Sequence, residues 1–257
     1  MKQIRAVIFD IDGVLEYQGK VFPGAVETLE QLRSRGIAVR FLTNSTLKSR
    51  ASCAEKLRSR GFAADEQEVF TASYTTAQYL HEQKALSIWL MLEREGVDEF
   101  ADFTHDEEYP EYVVVGDNRS RFDFDHLNRA LRLLSGGAKL VGMSNELIDA
   151  SMGALELNVG SWAGMLERAS GKPAVYIGKP FPYGFQLAVK DLFCQPDEVL
   201  VVGDRLSTDV QGAVNCGMRS VLVKTGEYKP SHLQLPVKPD WILEGVGNLL
   251  TLSCFSE

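Results

Sequence analysis

Short apolar runs alternate with amphipathic stretches along most of this 257-residue chain. Residues 6–9, Ala-Val-Ile-Phe, predict a buried strand, and Pro23-Gly24 opens a predicted helix that Gly36 ends. Residues 39–42, 198–202 and 220–223 predict further strands, with a helix over 208–216 before the last one. Strands that alternate with crossover helices form parallel sheets. The predicted fold class is therefore α/β, with a Rossmann-like parallel-sheet core.

The middle of the chain repeats this alternation as a series of its own. Strands are predicted at 87–92, 112–115, 139–141 and 174–177, and helices at 124–135 and 162–169. In the first of these helices, Leu127, Ala130, Leu131 and Leu134 fall at i, i+3, i+4 and i+7, which is the apolar face of an amphipathic helix. We therefore expect a core made of residues 1–76 and 176–257, with residues 77–175 inserted as an α/β cap domain.

Composition narrows the class of partner. The formal net charge is −8, and no run of Lys or Arg is long enough to follow a nucleic-acid backbone, so nucleic acid is not expected as a partner. No apolar run approaches membrane-spanning length, and the first one is too short for a secretory signal. The four cysteines are scattered without a C-x-x-C pair, which favours reduced thiols. We expect a cytoplasmic protein without a membrane partner.

The first predicted strand is followed by Asp10-Ile11-Asp12-Gly13. Ligands bind beyond the carboxyl ends of strands in open parallel sheets. These residues could also form an ordinary solvated turn, because Asp and Gly are common in turns. In the functional interpretation, Asp10 is a nucleophile and Asp12 handles the proton of the leaving group. A divalent cation would offset the repulsion between such close carboxylates.

Polar residues follow two other predicted strands. Thr43-Asn44-Ser45 offers hydroxyl, amide and backbone N–H groups suited to a phosphoryl group, although an N-cap of the next helix explains Ser45 equally well. Lys179 closes the strand at 174–177 and could neutralise Asp10 and an incoming phosphate. It could equally be one of many surface lysines.

The strand at 198–202 is followed by Asp204, and Asp209 comes five residues later at the opening of a predicted helix. Carboxylate oxygens are the ligands that Mg²⁺ prefers. The alternative for Asp209 is a favourable charge near a helix N-terminus. Each of these signals is weak when taken alone.

Four segments each lie at the end of a predicted strand: residues 10–13, residues 43–45, Lys179 and residues 204–209. In this order they resemble the four motifs of haloacid dehalogenase (HAD) superfamily phosphatases. The long stretch between Asn44 and Lys179 resembles the NagD-type branch, which inserts a large α/β cap there. Residues 43–50, 122–130 and 175–180 look most similar to the lysine/histidine-phosphate and pyrophosphate phosphatases of that branch. One departure is Met143-Ser144-Asn145-Glu146, where many relatives carry Thr-Asn-x-Asp, so their substrate preferences are not carried over.

The resemblance implies a role for each matching residue and a Mg²⁺-dependent phosphatase that acts through an aspartyl-phosphate. The implied roles are nucleophile and Mg²⁺ ligand for Asp10, acid/base and carbonyl ligand for Asp12, phosphoryl binding for Thr43 and Asn44, phosphoryl orientation for Lys179, Mg²⁺ binding for Asp204 and support of the metal site for Asp209.

The implied substrate is a small phosphorylated metabolite: an ester, a phosphoramidate or pyrophosphate. Two alternatives stay open, a phosphotransferase or phosphomutase that uses the same Asp10 chemistry and a non-catalytic protein that binds phosphometabolites. A homodimer is also left open.

Overall fold

The computed structural model of the chain describes residues 2–149, 154–234 and 236–255. The strands, in chain order, are β1 (Ala6–Phe9), β2 (Glu16–Tyr17), β3 (Lys20–Val21), β4 (Ala38–Leu42), β5 (Val69–Phe70), β6 (Ser87–Met91), β7 (Thr104–His105), β8 (Tyr112–Val115), β9 (Lys139–Gly142), β10 (Ile148–Asp149), β11 (Glu156–Leu157), β12 (Ala174–Tyr176), β13 (Val199–Gly203), β14 (Arg219–Val223) and β15 (Trp241–Leu243). The α-helices are α1 (Ala25–Ser34), α2 (Arg50–Ser59), α3 (Ala72–Glu82), α4 (Phe124–Ser135), α5 (Val159–Ser170), α6 (Pro182–Val189) and α7 (Gln211–Asn215).

Several short helical turns connect these elements. A π-helical turn covers Leu206–Val210. Turns of 3₁₀ helix cover Glu66–Glu68, Arg94–Phe100, Arg119–Arg121, Pro196–Glu198, Pro230–Gln234, Val246–Thr251 and Ser253–Phe255.

The chain divides into two compact units. The first contains Met1–Thr43, Cys53–Phe70 and Lys179–Glu257, and the second contains Asn44–Ser52 and Thr71–Gly178. The chain therefore leaves the first unit after β4 and returns to it within α2, then leaves again after β5 and returns after β12. The domain boundaries expected from the sequence, 76/77 and 175/176, stay a prediction.

The first unit is built on a parallel sheet. Within the described residues the strand order is β15-β14-β13-β1-β4-β5. All four residues of β1 are buried, as a continuous apolar run in the centre of a parallel sheet requires. Val39 and Phe41 of β4 pack in one apolar cluster with residues of α1 and α2. Arg40, between them, donates from Nε to the Ala188 carbonyl of α6 at 3.0 Å. Because neighbouring residues of a strand point to opposite faces, α6 covers the other face.

The second unit has a parallel sheet of its own. Its order, among residues that the structure describes, is β12-β9-β8-β6-β7. Residues of α4 and α5, including Leu134 and Trp162, form an apolar cluster with Val113 and Val115 of β8. Side chains cap both helices, because Asp123 accepts a hydrogen bond from His126 N at 2.9 Å and Asn158 accepts one from Val159 N at 2.7 Å. Strands β10 and β11 pair in antiparallel fashion, with Ile148 opposite Leu157.

The predicted α/β class with a parallel-sheet core and a further α/β region is confirmed. The bounds of β1, β8 and α4 are those that the sequence pattern predicts. Strands β5 and β15 and helix α6 were not predicted, because elements of two to eight residues show too few periods for a pattern to be recognised. No helix within the described ranges combines the length and the apolar character needed to cross a membrane.

The helix predicted over 208–216 starts differently. The π-helical turn comes first, and α7 begins only at Gln211. In the wide turn, the Arg205 carbonyl accepts hydrogen bonds from Asp209 N at 3.2 Å and from Val210 N at 3.4 Å. Turns of this kind are frequent at functional sites.

Candidate functional site

The register of the first sheet brings three polar segments to one edge. Phe9 of β1 pairs with Val202 of β13 on one side and with Phe41 of β4 on the other. Asp10, which follows Phe9, donates its backbone N–H to the Val202 carbonyl at 2.9 Å. The chain leaves β1 toward β4 on one side and reaches β13 on the other, so this edge is a topological switch point. Ligands bind at such points in open α/β sheets.

Lys179 lies between two of the predicted site carboxylates. Its Nζ is 2.8 Å from Asp10 Oδ1 and 2.7 Å from Asp209 Oδ1. Only 4% of the Lys179 side chain is exposed, so its ammonium depends on these partners rather than on water. Asp10 Oδ1 also accepts a hydrogen bond from Ile11 N at 2.8 Å. The contacts hold one oxygen of Asp10 in a defined position.

Three carboxylates crowd around this one ammonium group. Oxygens of Asp10, Asp204 and Asp209 all lie within 4.8 Å of one another, and Asp204 and Asp209 are buried. If all three were ionised, Lys179 would neutralise only one of the three negative charges. The cluster is therefore suited to a cation.

The pKa values report this excess of negative charge. Burial raises the pKa of Asp204 to about 7, and the charge of Asp209 adds to the rise. Burial also raises the pKa of Asp10 well above its usual value, although the Lys179 ammonium opposes that shift. For Lys179, burial lowers the pKa, but the attraction of Asp10 and Asp209 together outweighs it and leaves the pKa raised.

The surroundings of Asp204 fit a metal ion. Its Oδ2 accepts a hydrogen bond from Glu227 N at 2.7 Å. Its Oδ1 is buried and has no hydrogen-bond partner among the described residues. A buried carboxylate oxygen without a partner is costly unless a cation or water satisfies it. With carboxylate oxygens as the donors, the set suits a hard cation such as Mg²⁺.

Two glycines leave room for the Asp204 carboxylate. Gly13 has φ +91° and Gly226 has φ +60°, values that side-chain-bearing residues rarely adopt. A Cβ atom at either position would collide with Asp204 Oδ2. Gly203 has the same function for Asp209, because a Cβ there would overlap the Asp209 side chain. These glycines let backbone approach the carboxylates closely.

Asp12 has a different environment from the other three aspartates. Its side chain is 58% exposed, and its Oδ1 lies 3.2 Å from Lys56 Nζ in α2. It is not part of the group formed by Asp10, Asp204 and Asp209. The structure therefore brings together four of the predicted site residues and gives Asp12 a separate partner.

Thr43 and Asn44 fall on either side of a boundary between the two units. Thr43 is buried after β4, and its backbone N–H donates to the Phe70 carbonyl of β5 at 3.0 Å. Asn44 belongs to the second unit, where its Nδ2 donates to Glu146 Oε2 at 2.9 Å. Glu146 is part of the loop that differs from the Thr-Asn-x-Asp pattern.

Several contacting residues were not predicted from the sequence. Thr208 donates from Oγ1 to Asp209 Oδ2 at 3.0 Å, and its position next to Asp209 was the only available signal. Gly226 and Glu227, in contrast, are far from any motif. Lys56 also lies outside every motif. No local pattern marks these last three residues, because each acts through a contact distant in sequence.

Comparisons with known proteins agree on one relationship. A haloacid dehalogenase-like hydrolase model matches residues 7–104, and a HAD-hydrolase-like model matches residues 176–249. The chain is 37% identical over 227 residues to haloacid dehalogenase-like hydrolase domain-containing protein 2 of Rattus norvegicus, covering 88% of this chain and 86% of that protein. It is 32% identical over 256 residues to phospholysine phosphohistidine inorganic pyrophosphate phosphatase of Homo sapiens, covering 97% and 94%.

Solved structures extend the likeness to the whole fold. A 4-nitrophenylphosphatase from Thermotoga maritima superposes with a TM-score of 0.91 at 27% identity, covering 97% of each chain. NagD from E. coli K-12 superposes with a TM-score of 0.87 at 27% identity, covering 96% of this chain and 98% of that one.

Proposed function

Because the chain belongs to the haloacid dehalogenase-like hydrolase family and is a phosphohydrolase most similar to its NagD-type branch, we propose that it is Mg²⁺-dependent and acts through an aspartyl-phosphate on Asp10. The observation that carries this proposal is the cluster in which Lys179 bridges Asp10 and Asp209 beside the unpartnered Asp204 Oδ1. A nucleophilic carboxylate needs both a fixed position and relief from neighbouring negative charge.

In the proposed reaction, an Asp10 carboxylate oxygen attacks the phosphorus while Asp12 gives its proton to the leaving oxygen. Water then attacks the aspartyl-phosphate, and Asp12 takes up the proton of that water. Lys179 stays ionised and offsets charge on Asp10 and on the phosphoryl group. We propose that Thr43 and Asn44 donate hydrogen bonds to the phosphoryl oxygens.

Oxygens of Asp10 and Asp204, supported by Asp209 and joined by the Asp12 carbonyl, would hold the cation. Bound there, Mg²⁺ withdraws negative charge from the phosphoryl oxygens. The proposed substrate is a small phosphorylated metabolite. Esters, phosphoramidates and pyrophosphate all belong in the first screen, because one similar protein carries phospholysine, phosphohistidine and pyrophosphate in its name.

The test compares Asp10→Asn with the wild-type enzyme on 4-nitrophenyl phosphate, with and without Mg²⁺. We expect Asp10→Asn to lower kcat at least about 10³-fold, because the amide is nearly isosteric but is not a nucleophile. Wild-type activity should depend on Mg²⁺. The matched control is Asp102→Asn, which changes an exposed aspartate outside the cluster and should leave kcat unchanged.

A chemical readout separates this mechanism from direct attack by water. Rapid quenching of Asp12→Asn with 4-nitrophenyl phosphate should trap a phosphoryl group on Asp10, because the second step then lacks its base. Steady phosphate release by Asp10→Asn at the wild-type rate would disprove the covalent mechanism. The metal-free thermal midpoint of Asp10→Asn should equal or exceed that of the wild type, because removing one crowded carboxylate relieves repulsion.

A further inference from the structure

A chain of charged side chains connects Asp12 to a buried carboxylate. Asp12 Oδ1 is 3.2 Å from Lys56 Nζ, and the same Nζ is 2.5 Å from Glu16 Oε1. The other oxygen of Glu16 lies 3.1 Å from Arg60 Nε. We call this series Arg60, Glu16, Lys56 and Asp12 the Lys56 link. All four residues belong to the first unit.

Glu16 is the fixed point of the Lys56 link. Its side chain is only 2% exposed, and the cost of burying a carboxylate is offset when cations pair with it. Its backbone is held to the turn that carries Asp12, because Gly13 N donates to the Glu16 carbonyl at 2.7 Å and Glu16 N donates to the Ile11 carbonyl at 3.2 Å. Backbone hydrogen bonds therefore tie Glu16 directly to the turn that carries Asp12.

The two cations come from the C-terminal end of α2. Lys56 lies in its last turn, and Arg60 is the first residue after the helix. Two positive charges on one buried carboxylate leave one positive charge unbalanced. Lys56 directs that charge at Asp12, whose side chain is 58% exposed and would otherwise be free to rotate in water.

An exposed ion pair of this type contributes little to stability. Its consequence for Asp12 is geometric. Lys56 is itself held by Glu16, and its side chain is only 27% exposed, so the ammonium is a fixed donor rather than a mobile surface charge. With Oδ1 of Asp12 held by Lys56, Oδ2 is the oxygen left to carry a proton.

We propose that Lys56 is a positioning residue for Asp12: anchored on buried Glu16, it orients the Asp12 carboxyl so that Oδ2 gives its proton to the leaving oxygen. This inference rests on the proposed function, in which Asp12 is the acid and base. As the bond from phosphorus to the leaving oxygen breaks, the bond from Asp10 to phosphorus forms and the proton moves from Asp12 to the leaving oxygen. Lys56 touches neither substrate nor the reacting atoms.

The leaving group provides a readout that a merely structural role would not change. A weakly basic group such as 4-nitrophenolate departs with little help from an acid, whereas phenolate and alkoxides need the proton. The measurement is kcat/KM for 4-nitrophenyl phosphate, phenyl phosphate and an alkyl phosphate, because kcat/KM reports the first step. We expect Lys56→Met to lower kcat/KM for the alkyl phosphate about tenfold to hundredfold, and for 4-nitrophenyl phosphate less than about threefold.

Three further variants define the result. Lys56→Arg keeps the charge and should restore much of the alkyl phosphate activity. Glu16→Gln tests the Lys56 link at its buried end. It should change the dependence of kcat/KM on the leaving group in the same direction as Lys56→Met. Lys2→Met is the matched control, because Lys2 pairs with Asp197 at 2.9 Å before the amino ends of the strands, and we expect wild-type values for all three substrates.

The outcomes separate this inference from the proposed function. If Asp12→Asn responds selectively to the leaving group but Lys56→Met and Glu16→Gln lose activity equally on all substrates or not at all, the positioning role is wrong. Higher activity of Lys56→Met on the alkyl phosphate would also overturn it. If Asp12→Asn itself shows the wild-type dependence on the leaving group, the proposed role of Asp12 fails first.

Discussion

At the residue scale, the cluster around Lys179 is an unbalanced set of charges. Two of its carboxyl groups, Asp10 and Asp204, have raised pKa values, in both cases mainly because they are buried. The folded protein thus holds these two carboxyl groups in surroundings where they ionise less readily than they would in water. Shifted pKa values of this kind are common at functional sites.

The raised pKa of Asp204 predicts how the stability of the metal-free protein changes with pH. Asp204 has a pKa of about 7 in the folded protein, against about 3.9 for an unfolded chain. Between these values the folded state binds a proton that the unfolded state does not, so stability falls as pH rises through the interval. With a chelator present to remove metal ions, we expect ionisation of Asp204 to lower the thermal midpoint progressively between about pH 4.5 and about pH 7.

Two comparisons isolate that contribution. Asp204→Asn should make the decrease shallower, while the raised pKa of Asp10 leaves part of it in place. Added Mg²⁺ should reverse the trend, because a metal ion competes with the proton for the carboxylate. A steeper decrease in Asp204→Asn than in the wild type would contradict the assignment.

At the element scale, the turns after β1 and β14 bring Gly13 and Gly226 against Asp204. Both glycines have positive φ, and Thr225 Oγ1 donates to the Gly13 carbonyl at 2.6 Å. The two turns hold each other in place through this contact. The position of the Asp204 carboxylate therefore depends on turn geometry as well as on its own strand.

We predict that Gly13→Ala affects metal binding more than its backbone strain alone explains. Gly36→Ala is the matched control, because Gly36 has φ +72° with nothing within 4 Å of an added Cβ. That control should lose about 1–2 kcal/mol from the left-handed conformation and keep its thermal shift with Mg²⁺. Gly13→Ala should lose most of that shift, because its Cβ displaces Asp204 Oδ2.

Asp204→Ala should show the smallest thermal shift with Mg²⁺, because it removes the proposed ligand. Thermal unfolding is measured for all three variants with and without Mg²⁺, and the difference between the two midpoints is compared. A full Mg²⁺ shift in Gly13→Ala would mean that the close approach of this turn does not matter for the metal site.

At the scale of the whole molecule, one unit contains most of the proposed chemistry. Asp10, Lys179, Asp204 and Asp209 belong to the first unit, as do all the strands of its sheet. The loop that departs from the pattern of relatives, residues 143–146, belongs to the second unit. Chemistry and substrate selection are therefore predicted to be separable.

We predict that a shortened protein, with residues 74–177 replaced by a short Gly/Ser linker, still folds and binds Mg²⁺. It retains the hydrogen bond from Ala72 N to the Ser45 carbonyl, 3.1 Å long, which supports the segment after β4. It should keep slow activity on 4-nitrophenyl phosphate, because the clustered carboxylates and Lys179 of the first unit all remain. The spread of kcat/KM among phosphorylated metabolites should narrow by about tenfold or more.

The full-length protein, assayed with the same metabolites, is the reference for that spread. A folded shortened protein that discriminates among them as well as the full-length enzyme would assign selection to the first unit instead.

The sequence alone determined the elements with a strong local pattern and the residue types of the site. A continuous apolar run predicts β1, and a clear helical period predicts α4, because burial on two faces or on one stripe selects these residues directly. Asp10 and Asp204 could be selected because each follows a strand of one parallel sheet, whose carboxyl ends meet at one edge. Lys179 follows β12 of the other sheet, so the shared edge did not select it; its place in the order of the motifs did.

The tertiary structure decided which of these groups make contact. It pairs Lys179 with Asp10 and Asp209, and it forms the π-helical turn before α7. It also brings Gly226 to Asp204 and connects Asp12 to Lys56. These contacts join residues far apart in the chain, and their geometry depends on how helices pack on the sheet. Local propensity carries no information about such packing, so the charge balance of the site emerges only in the folded chain.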